Sequence, residues 1–223
     1  MTPLLDEGFL SWRVTPEEMD RLWSEGWRHF GPMFYRYPRA NHGGQIMDVR
    51  PMRVALAQFS PSKSQRRILR RNKDLRTRIR PTVIDETRRR LFQQHRSRFA
   101  ENVPDRLEDF LGVDPGHGPC LNVEIALYLG ERLIAASYLD IGLHAVSSVY
   151  AFFDLTEHRR SLGILTILHE IGWARERECQ FYYPGYAYAQ QSHYDYKKKF
   201  AGIQSYDWKE WAPLPRLAAQ RAE

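Results

Sequence analysis

The chain alternates between two hydrophobic patterns, one typical of strands and one typical of amphipathic helices. Apolar and β-branched residues dominate three runs in its second half, which predicts strands at 121–129, 132–141 and 145–153. Gly130-Glu131 separates the first two runs and predicts a tight hairpin turn. Across 161–178 the apolar positions recur every three or four residues, which predicts an amphipathic helix. A further strand at 181–188 and a second helix near 192–200 follow.

The first half of the chain carries shorter predicted elements, two of them marked by helix caps. Thr15 can cap a helix over 15–26, and Ser62 can cap another over 62–71. The remaining pattern predicts a strand pair at 27–30 and 34–37 broken by Gly31-Pro32, a loop at 38–44, a strand at 50–59, a helix at 84–99, a short helix at 105–111, and a final strand or extended tail around Trp208 and Trp211.

Length and cysteine content narrow the class of protein. A chain of 223 residues is long enough for one large domain, or for one domain with a modest extension. It has no run of apolar residues long enough to span a membrane and no recognisable signal peptide, so we expect a cytoplasmic protein without a membrane partner. Cys120 and Cys179 lie far apart, which favours two reduced, mostly buried thiols. We therefore predict no metal site and no cofactor.

The positive charge of the chain is concentrated in one segment. Residues 63–98 contain 14 Lys or Arg and three Asp or Glu, although the whole chain has a net charge of only +6. A basic block on a slightly acidic body indicates a polyanionic partner. The alternative is a solvated helix face with its charges spread all round.

One turn has the composition of an anion-binding loop. Arg160-x-x-Gly163-x-Leu165 stands between a predicted strand and a predicted helix. In the GNAT fold, a similar turn presents backbone N–H groups at a helix N-terminus to an anionic group. Leu165 replaces the small residue usual at the end of that motif, which argues against a standard acyl-CoA pyrophosphate site.

Longer motifs resemble one family over most of the chain. The segments that carry the resemblance are Gly26-Trp27-Arg28, Phe34-Tyr35-Arg36, Ser64-Gln65-Arg66-Arg67 within 59–75, Ser147-Ser148-Val149-Tyr150 followed by Phe153-Asp154, Arg160-Ser161-Leu162-Gly163, Tyr182-Tyr183-Pro184-Gly185-Tyr186, and Tyr196-Lys197. In this order they resemble the arginyl/leucyl-tRNA–protein transferase family, particularly its bacterial aspartate/glutamate leucyltransferase-like members. That family moves Leu or Arg from charged tRNA to the α-amine of an acceptor with N-terminal Asp or Glu, in the N-degron pathway.

The resemblance implies a fold and a division of the chain. It predicts an α+β protein with a GNAT-like mixed sheet flanked by helices and an N-terminal extension. We expect an N-terminal subdomain at 1–60 and a catalytic domain at 61–223, with a basic helical segment at 63–98. Two departures are visible: the family's cysteine cluster is absent from 37–51, so no thiolate metal site can form there, and the third motif reads Pro184-Gly185-Tyr186.

The reaction implied by the resemblance suggests candidate residues. Attack of an amine on an activated ester needs positioning, a proton acceptor and a donor to the oxyanion, but no covalent nucleophile. The catalytic candidates are Asp154, Tyr150 and Tyr186; for each, bracing or packing is the alternative role. Candidates for binding the acceptor or the aminoacyl group are Arg67, Arg160, Ser148 and Lys197. Candidates for binding tRNA are Lys63, Gln65, Arg66, Arg70 and Arg71, a field that Arg88, Arg89 and Arg90 extend.

Two other functions stay open from the sequence alone. One is a GNAT acyltransferase that uses acyl-CoA, which the Arg160–Gly163 turn favours and Leu165 disfavours. The other is a non-catalytic RNA-binding protein, which the missing cysteines and the altered third motif favour.

Overall fold

A computed structural model describes residues 2–4, 7–99, 105–116 and 118–214. The N-terminal part contributes β1 (Thr2–Leu4), β2 (Glu7–Leu10), α1 (Pro16–Ser24), β3 (Arg28–Phe30), β4 (Met33–Arg36), β5 (Arg39–His42) and β6 (Gln45–Ala55). The middle part contributes α2 (Lys63–Arg71), β7 (Arg76–Pro81), α3 (Glu86–Arg96) and α4 (Glu108–Leu111). The last part contributes β8 (Asn122–Leu129), β9 (Arg132–Ile141), β10 (Ala145–Phe153), α5 (Leu162–Glu176), β11 (Phe181–Tyr188), β12 (Ile203–Tyr206) and β13 (Trp211–Pro213).

Most of these strands form one mixed sheet, in the order β1-β5-β6-β11-β10-β9-β8-β7, and β12 pairs with both β6 and β13. Only the β10–β11 pair is parallel among the described strands of this sheet. The short strands β2, β4 and β3 form a second, antiparallel sheet. This confirms the predicted α+β class and mixed sheet, with α5 and α3 packed against the central strands.

Both predicted helix caps are present. Thr15 and Glu18 form a capping box at the start of α1, and Ser62 and Gln65 form one at the start of α2. The hairpin at Gly130, the strand pair broken by Gly31-Pro32, and the elements β10, α5 and β11 also lie where the pattern predicts them. Short-range signals therefore place these elements correctly.

The predicted loop at 38–44 was wrong, because Arg39–His42 forms β5 and pairs with β6 in register His42 to Gln45. Gly43 and Gly44 have φ of 58° and 82°, so they form a two-residue hairpin turn. The region near 192–200 is a 3-10 helix, His193–Lys199, and Trp208 lies in the turn between β12 and β13. The short helix predicted from 105 begins at Glu108.

The predicted helical segment at 63–98 was also wrong in part, because its middle residues form a strand. Arg76–Pro81 is the edge strand β7, paired with β8, and it separates α2 from α3. Its basic side chains alternate with Thr77 and Ile79, and charged side chains are typical of an edge strand that must not pair further. The predicted domain boundary at residue 60 stays a prediction. Strand β6 precedes this residue and pairs with β11 of the central sheet.

A buried ion pair attaches α3 to the sheet. The Arg88 guanidinium donates to both oxygens of Glu124 on β8 and to Asp85, and the side chains of Arg88 and Glu124 are 4% and 0% exposed. Arg80 donates to the same glutamate at 3.1 Å. Arg88 is therefore a structural residue and does not extend the basic surface.

Replacing Arg88 with Met is expected to lower the free energy of unfolding by about 3 kcal/mol, because it leaves Glu124 buried with only part of its compensation. Arg90→Met, at an exposed position of the same helix, is expected to change it by less than about 0.5 kcal/mol. Urea denaturation of both variants measures the difference. Equal stability of the two variants would contradict the role assigned to the pair.

Candidate active site

The centre of the sheet opens where its two parallel strands separate. Strands β10 and β11 pair only from Ala145–Phe181 to Ser147–Tyr183. Immediately beyond, the pairing of β10 with β9 is irregular between Ser148 and Tyr150, as in a β-bulge. We call the space between the two strands beyond Ser147 on β10 and Tyr183 on β11 the wedge. Along it, the β11-facing edge of β10 has no strand partner in the described part of the chain. Such an edge offers backbone N–H groups to a substrate carbonyl.

A buried carboxyl group lies at the base of this wedge. Glu170, on α5, is fully buried, accepts from the Tyr182 hydroxyl, and accepts from the Ser148 hydroxyl at 3.3 Å. Burial raises the pKa of Glu170 to about 7, and the hydrogen bonds from Tyr182 and Ser148 only partly oppose this rise. A carboxyl group that titrates near neutrality and touches a hydroxyl in the wedge is suited to proton transfer.

Two cations converge beside the wedge. The Arg28 guanidinium, at the start of β3, donates to the Ser147 hydroxyl and to the backbone carbonyl of Ser148. Lys197 donates to the carbonyl of Tyr186 at 2.9 Å. A Cβ built on Gly185 would lie 3.4 Å from Lys197 Nζ and 3.7 Å from Arg28 Nη2, so both cations approach the same point of β11.

The closeness of Arg28 to Lys197 changes the pKa of the lysine. Burial and the nearby charge of Arg28 lower the pKa of Lys197 to about 7, and Glu170 opposes that shift. Two like charges held near one point favour an anion between them. Gly185 has a φ of 90°, a conformation that disfavours any side chain, and a Cβ at this buried position would touch Lys197 Nζ.

The structure gives two of the three predicted catalytic residues a bracing contact. Asp154 directly follows β10, at the end away from the paired residues. It accepts from the backbone N–H of Thr156 and forms an ion pair with Arg132. Burial raises its pKa, but the hydrogen bonds from Thr156 and the charge of Arg132 outweigh that effect, so the pKa lies below its usual range. Tyr186 donates its hydroxyl to the carbonyl of Gly26 at 2.6 Å. The catalytic roles of both residues stay predictions.

The third candidate, Tyr150, forms part of an aromatic cluster. Its ring stacks on Phe110 with the centroids 4.1 Å apart, and its hydroxyl is buried without a hydrogen-bond partner among the described residues. The role of Tyr150 in catalysis stays a prediction.

The predicted binding residues divide between the wedge and a separate loop. Ser148 and Lys197 lie in the wedge, as described above. Arg160 lies outside it and binds Asp74 through two hydrogen bonds of 3.0 and 2.8 Å and Glu157 through one of 2.9 Å. Arg160 therefore links the loop before α5 to the end of α2, and an anionic substrate would have to displace these carboxylates.

The predicted tRNA-binding residues lie on α2, and four basic ones are solvent-exposed: Lys63, Arg66, Arg70 and Arg71. Arg67, predicted to bind the acceptor, is exposed on the same helix and joins this ridge. Gln65 differs from this expectation, because it is only 6% exposed and its side chain accepts from the backbone N–H of Ser62 at 2.8 Å. It begins the helix rather than facing a ligand.

Sequence reasoning missed Glu170 and Arg28 as site residues. Glu170 was assigned to the polar face of its helix, since an isolated Glu in an amphipathic pattern is normally solvated. The only available signal was its position within an otherwise buried run, Leu165 to Ile171. Arg28 belonged to one of the family motifs, but its contact with Ser147 joins positions 119 residues apart.

The wedge, the mixed sheet and the helix after β10 define the class of fold: a GNAT-like fold, the fold of many acyltransferases. The solved structure of L-PGS from Bacillus licheniformis has the same fold, with a TM-score of 0.52 and 11% sequence identity, covering 90% of this chain and 67% of that one. At that identity the likeness concerns the fold alone.

The sequence matches one family of such transferases. Residues 82–207 match the family described as arginine-tRNA-protein transferase, C terminus. An aspartate/glutamate leucyltransferase of Xanthomonas euvesicatoria pv. vesicatoria is 33% identical over 177 residues, 76% of this chain and 70% of that protein. One of Xylella fastidiosa is 31% identical over 197 residues, 85% of this chain and 76% of that protein. The chain therefore belongs to the arginine-tRNA–protein transferase family and is an aminoacyltransferase, as its motifs predict.

Within the described residues, no helix is both long and apolar enough to cross a membrane. Cys120 and Cys179 are free cysteines, the first buried and the second half-buried.

The raised pKa of Glu170 makes stability depend on pH. The folded state keeps the Glu170 proton up to about pH 7, whereas the unfolded chain loses it near pH 4.5, so Glu170 reduces stability as the pH rises between these values. Glu170→Gln is expected to remove this loss, which is at most about 3 kcal/mol. Thermal unfolding of both proteins across this pH range measures it.

Glu176→Gln provides a matched control, because Glu176 lies at the exposed end of the same helix. The control is expected to follow the parent protein at every pH. If the Glu170→Gln variant also follows the parent protein between pH 4.5 and 7, the Glu170 carboxyl does not have a raised pKa.

Proposed function

We propose that this chain transfers leucine from leucyl-tRNA to the α-amine of proteins that begin with Asp or Glu, in the cytoplasm where charged tRNA is available. Its relatives named aspartate/glutamate leucyltransferases support the donor and the acceptor. The observation that carries the proposal is the convergence of Arg28 and Lys197 on Gly185, beside the wedge.

The two cations fit the side chain of an acidic N-terminal residue. A carboxylate between Arg28 and Lys197 would relieve their mutual repulsion and stabilise the protonated form of Lys197. Arg28 is already held by Ser147 and Ser148, so little side-chain entropy is lost when the acceptor binds. An acceptor with a neutral first residue would leave this repulsion in place, which provides selectivity.

The acceptor α-amine would then lie near the wedge and its buried carboxyl group. The acceptor ammonium group first loses one proton, which the Ser148 hydroxyl relays to Glu170. The free amine attacks the aminoacyl carbonyl, a C–N bond forms, and the C–O bond to the ribose breaks. The second amine proton passes to the ribose oxygen as it leaves. Backbone N–H groups of β10 beyond Ser147 are suited to stabilise the oxyanion.

The exposed ridge of α2 would hold the tRNA near this site. The helix carries five basic and no acidic residues, and it packs against α5. Arg71 donates to the carbonyl of Arg159, and Asn72 donates to that of Arg160 at 3.0 Å, so the ridge is fixed to the loop that follows β10. A polyphosphate backbone on the ridge would thus approach the same end of the wedge.

The acyl-CoA alternative has less support from this geometry. A CoA pyrophosphate would need the loop before α5, and the one arginine that the motif supplies there is already paired with Asp74 and Glu157. Leu165 is 1% exposed and packs in the core with Leu127 and Ile134. The non-catalytic alternative is disfavoured by the assembled set of Glu170, Ser148 and Lys197.

Replacing Lys197 with Met is expected to lower kcat/KM for an Asp-initiated peptide about 10- to 100-fold, because one charge-assisted hydrogen bond to the acceptor carboxylate is lost. Transfer of labelled leucine from leucyl-tRNA to peptides that begin with Asp, Glu or Ala measures the effect. Lys199→Met, at an exposed position of the same 3-10 helix, is the control and is expected to retain activity.

An equal loss with acidic and neutral peptides would contradict the role of Lys197 in acceptor selection. Parallel reactions with arginyl-tRNA and with the other aminoacyl-tRNAs test the donor. No transfer from any aminoacyl-tRNA to any of these peptides would refute the proposed function as a whole.

Replacing Arg67 and Arg70 together with Ala is expected to weaken tRNA binding and to reduce the slope of log affinity against log salt by about 1 to 2, because up to two phosphate contacts are lost. Filter binding of leucyl-tRNA across a range of salt concentrations measures both quantities. Arg175→Ala is the control, because Arg175 is exposed at the C-terminal end of α5 and is not part of the α2 ridge. A slope unchanged from that of the control would place the tRNA on another surface.

A further inference from the structure

Three buried side chains with different metal-binding atoms meet where β3 faces the central sheet. His29 lies on β3, Cys120 lies just before β8, and Asp140 lies on β9. Their ligand atoms all lie within 4.8 Å of one another, and each residue is at most 5% exposed. None of the three takes part in the site described above.

Each of the two polar ligands is oriented by a second hydrogen bond. His29 Nδ1 lies 2.9 Å from the carbonyl oxygen of Gly31. Because a carbonyl oxygen only accepts, Nδ1 carries the hydrogen and donates it. The other oxygen of Asp140 accepts from the Asn122 amide at 2.8 Å. Metal-binding histidines and carboxylates are typically held by such outer hydrogen bonds.

These hydrogen bonds orient the remaining ligand atoms of His29 and Asp140 towards each other. His29 Nε2 points at Asp140 Oδ2, 2.8 Å away, and at Cys120 Sγ, 3.9 Å away. In a neutral imidazole with its hydrogen on Nδ1, the Nε2 lone pair faces a carboxylate, which is unfavourable unless a positive charge lies between them. A second ring proton or a metal ion can supply that charge. A metal ion would also use the Cys120 thiol, which lies beside the pair.

We propose that His29, Cys120 and Asp140 form a three-ligand Zn²⁺ site. Nitrogen, sulfur and oxygen donors at these separations suit zinc, and a water molecule would complete the tetrahedron. On binding, the Cys120 thiol releases its proton to solvent, as does any proton on His29 Nε2. One Zn²⁺, one thiolate and one carboxylate sum to zero charge, which favours the ion in a buried position.

The ion would have a structural role. It would join β3 to β9, and β3 also carries Arg28, which reaches Ser147 and Ser148 on the neighbouring strand. The prediction of no metal site considered only the distance between the two cysteines and the segment 37–51. The fold instead combines one of those cysteines with a histidine 91 residues earlier.

Cobalt(II) provides the direct test, because a thiolate ligand gives a near-ultraviolet charge-transfer band that nitrogen and oxygen ligands lack. Metal-free full-length protein is titrated with CoCl₂ and then with ZnSO₄, and metal content is measured by mass spectrometry after desalting. We expect one metal ion per chain, a thiolate–cobalt band that zinc removes, and a rise in Tm with zinc.

Two cysteine variants identify the ligand. Cys120→Ser is expected to lose the band and the zinc-dependent rise in Tm, whereas Cys179→Ser is expected to keep both. The spectrum of the unsubstituted protein remains decisive if Cys120→Ser does not fold. Absence of the band from that protein, or its loss in Cys179→Ser instead, would overturn the proposal and leave a hydrogen-bonded His29–Asp140 pair.

Discussion

The site depends on one feature of backbone geometry: two parallel strands that pair for three residues and then diverge. If β10 and β11 continued in register, their backbone groups would satisfy each other and no space would remain for an ester and an amine. The bulge after Ser148 and the positive φ of Gly185 both lie immediately beyond the last paired residues. The fold therefore leaves backbone groups of β10 unpaired by β11 at the middle of its largest sheet.

The wedge is built from charges that would each be unfavourable alone. Glu170 is fully buried, and Lys197 is held beside Arg28. The pKa of Glu170 is raised to about 7, and that of Lys197 is lowered to about 7. Because a carboxyl group with a pKa near 7 can accept a proton at neutral pH, Glu170 suits a reaction that must deprotonate an ammonium group. The candidate groups Glu170, Arg28 and Lys197 come from α5, β3 and the 3-10 helix.

The sequence predicts elements well where the signal is local. The capping boxes at Thr15 and Ser62, the hairpin at Gly130, and the strand–helix–strand order around α5 all follow from residues within a few positions. It fails at β5, where Asn41 and the flanking Pro38 and Gly43-Gly44 have the composition of a loop, and at β7, whose arginines hide a strand that pairs far along the chain. The same limit applies to the site, because Glu170 and Arg28 acquire their chemistry only from partners distant in sequence.

Two residues of the family motifs make contacts that hold neighbouring loops in place. Asp154 caps the turn after β10, and Tyr186 donates its hydroxyl to the Gly26 carbonyl. Asp154 and Arg160 together fix the loop between β10 and α5, and Arg160 ties that loop to the basic helix α2 through Asp74. A change in that loop would therefore move the basic ridge of α2 relative to the wedge, so the two halves of the proposed function share one set of ion pairs.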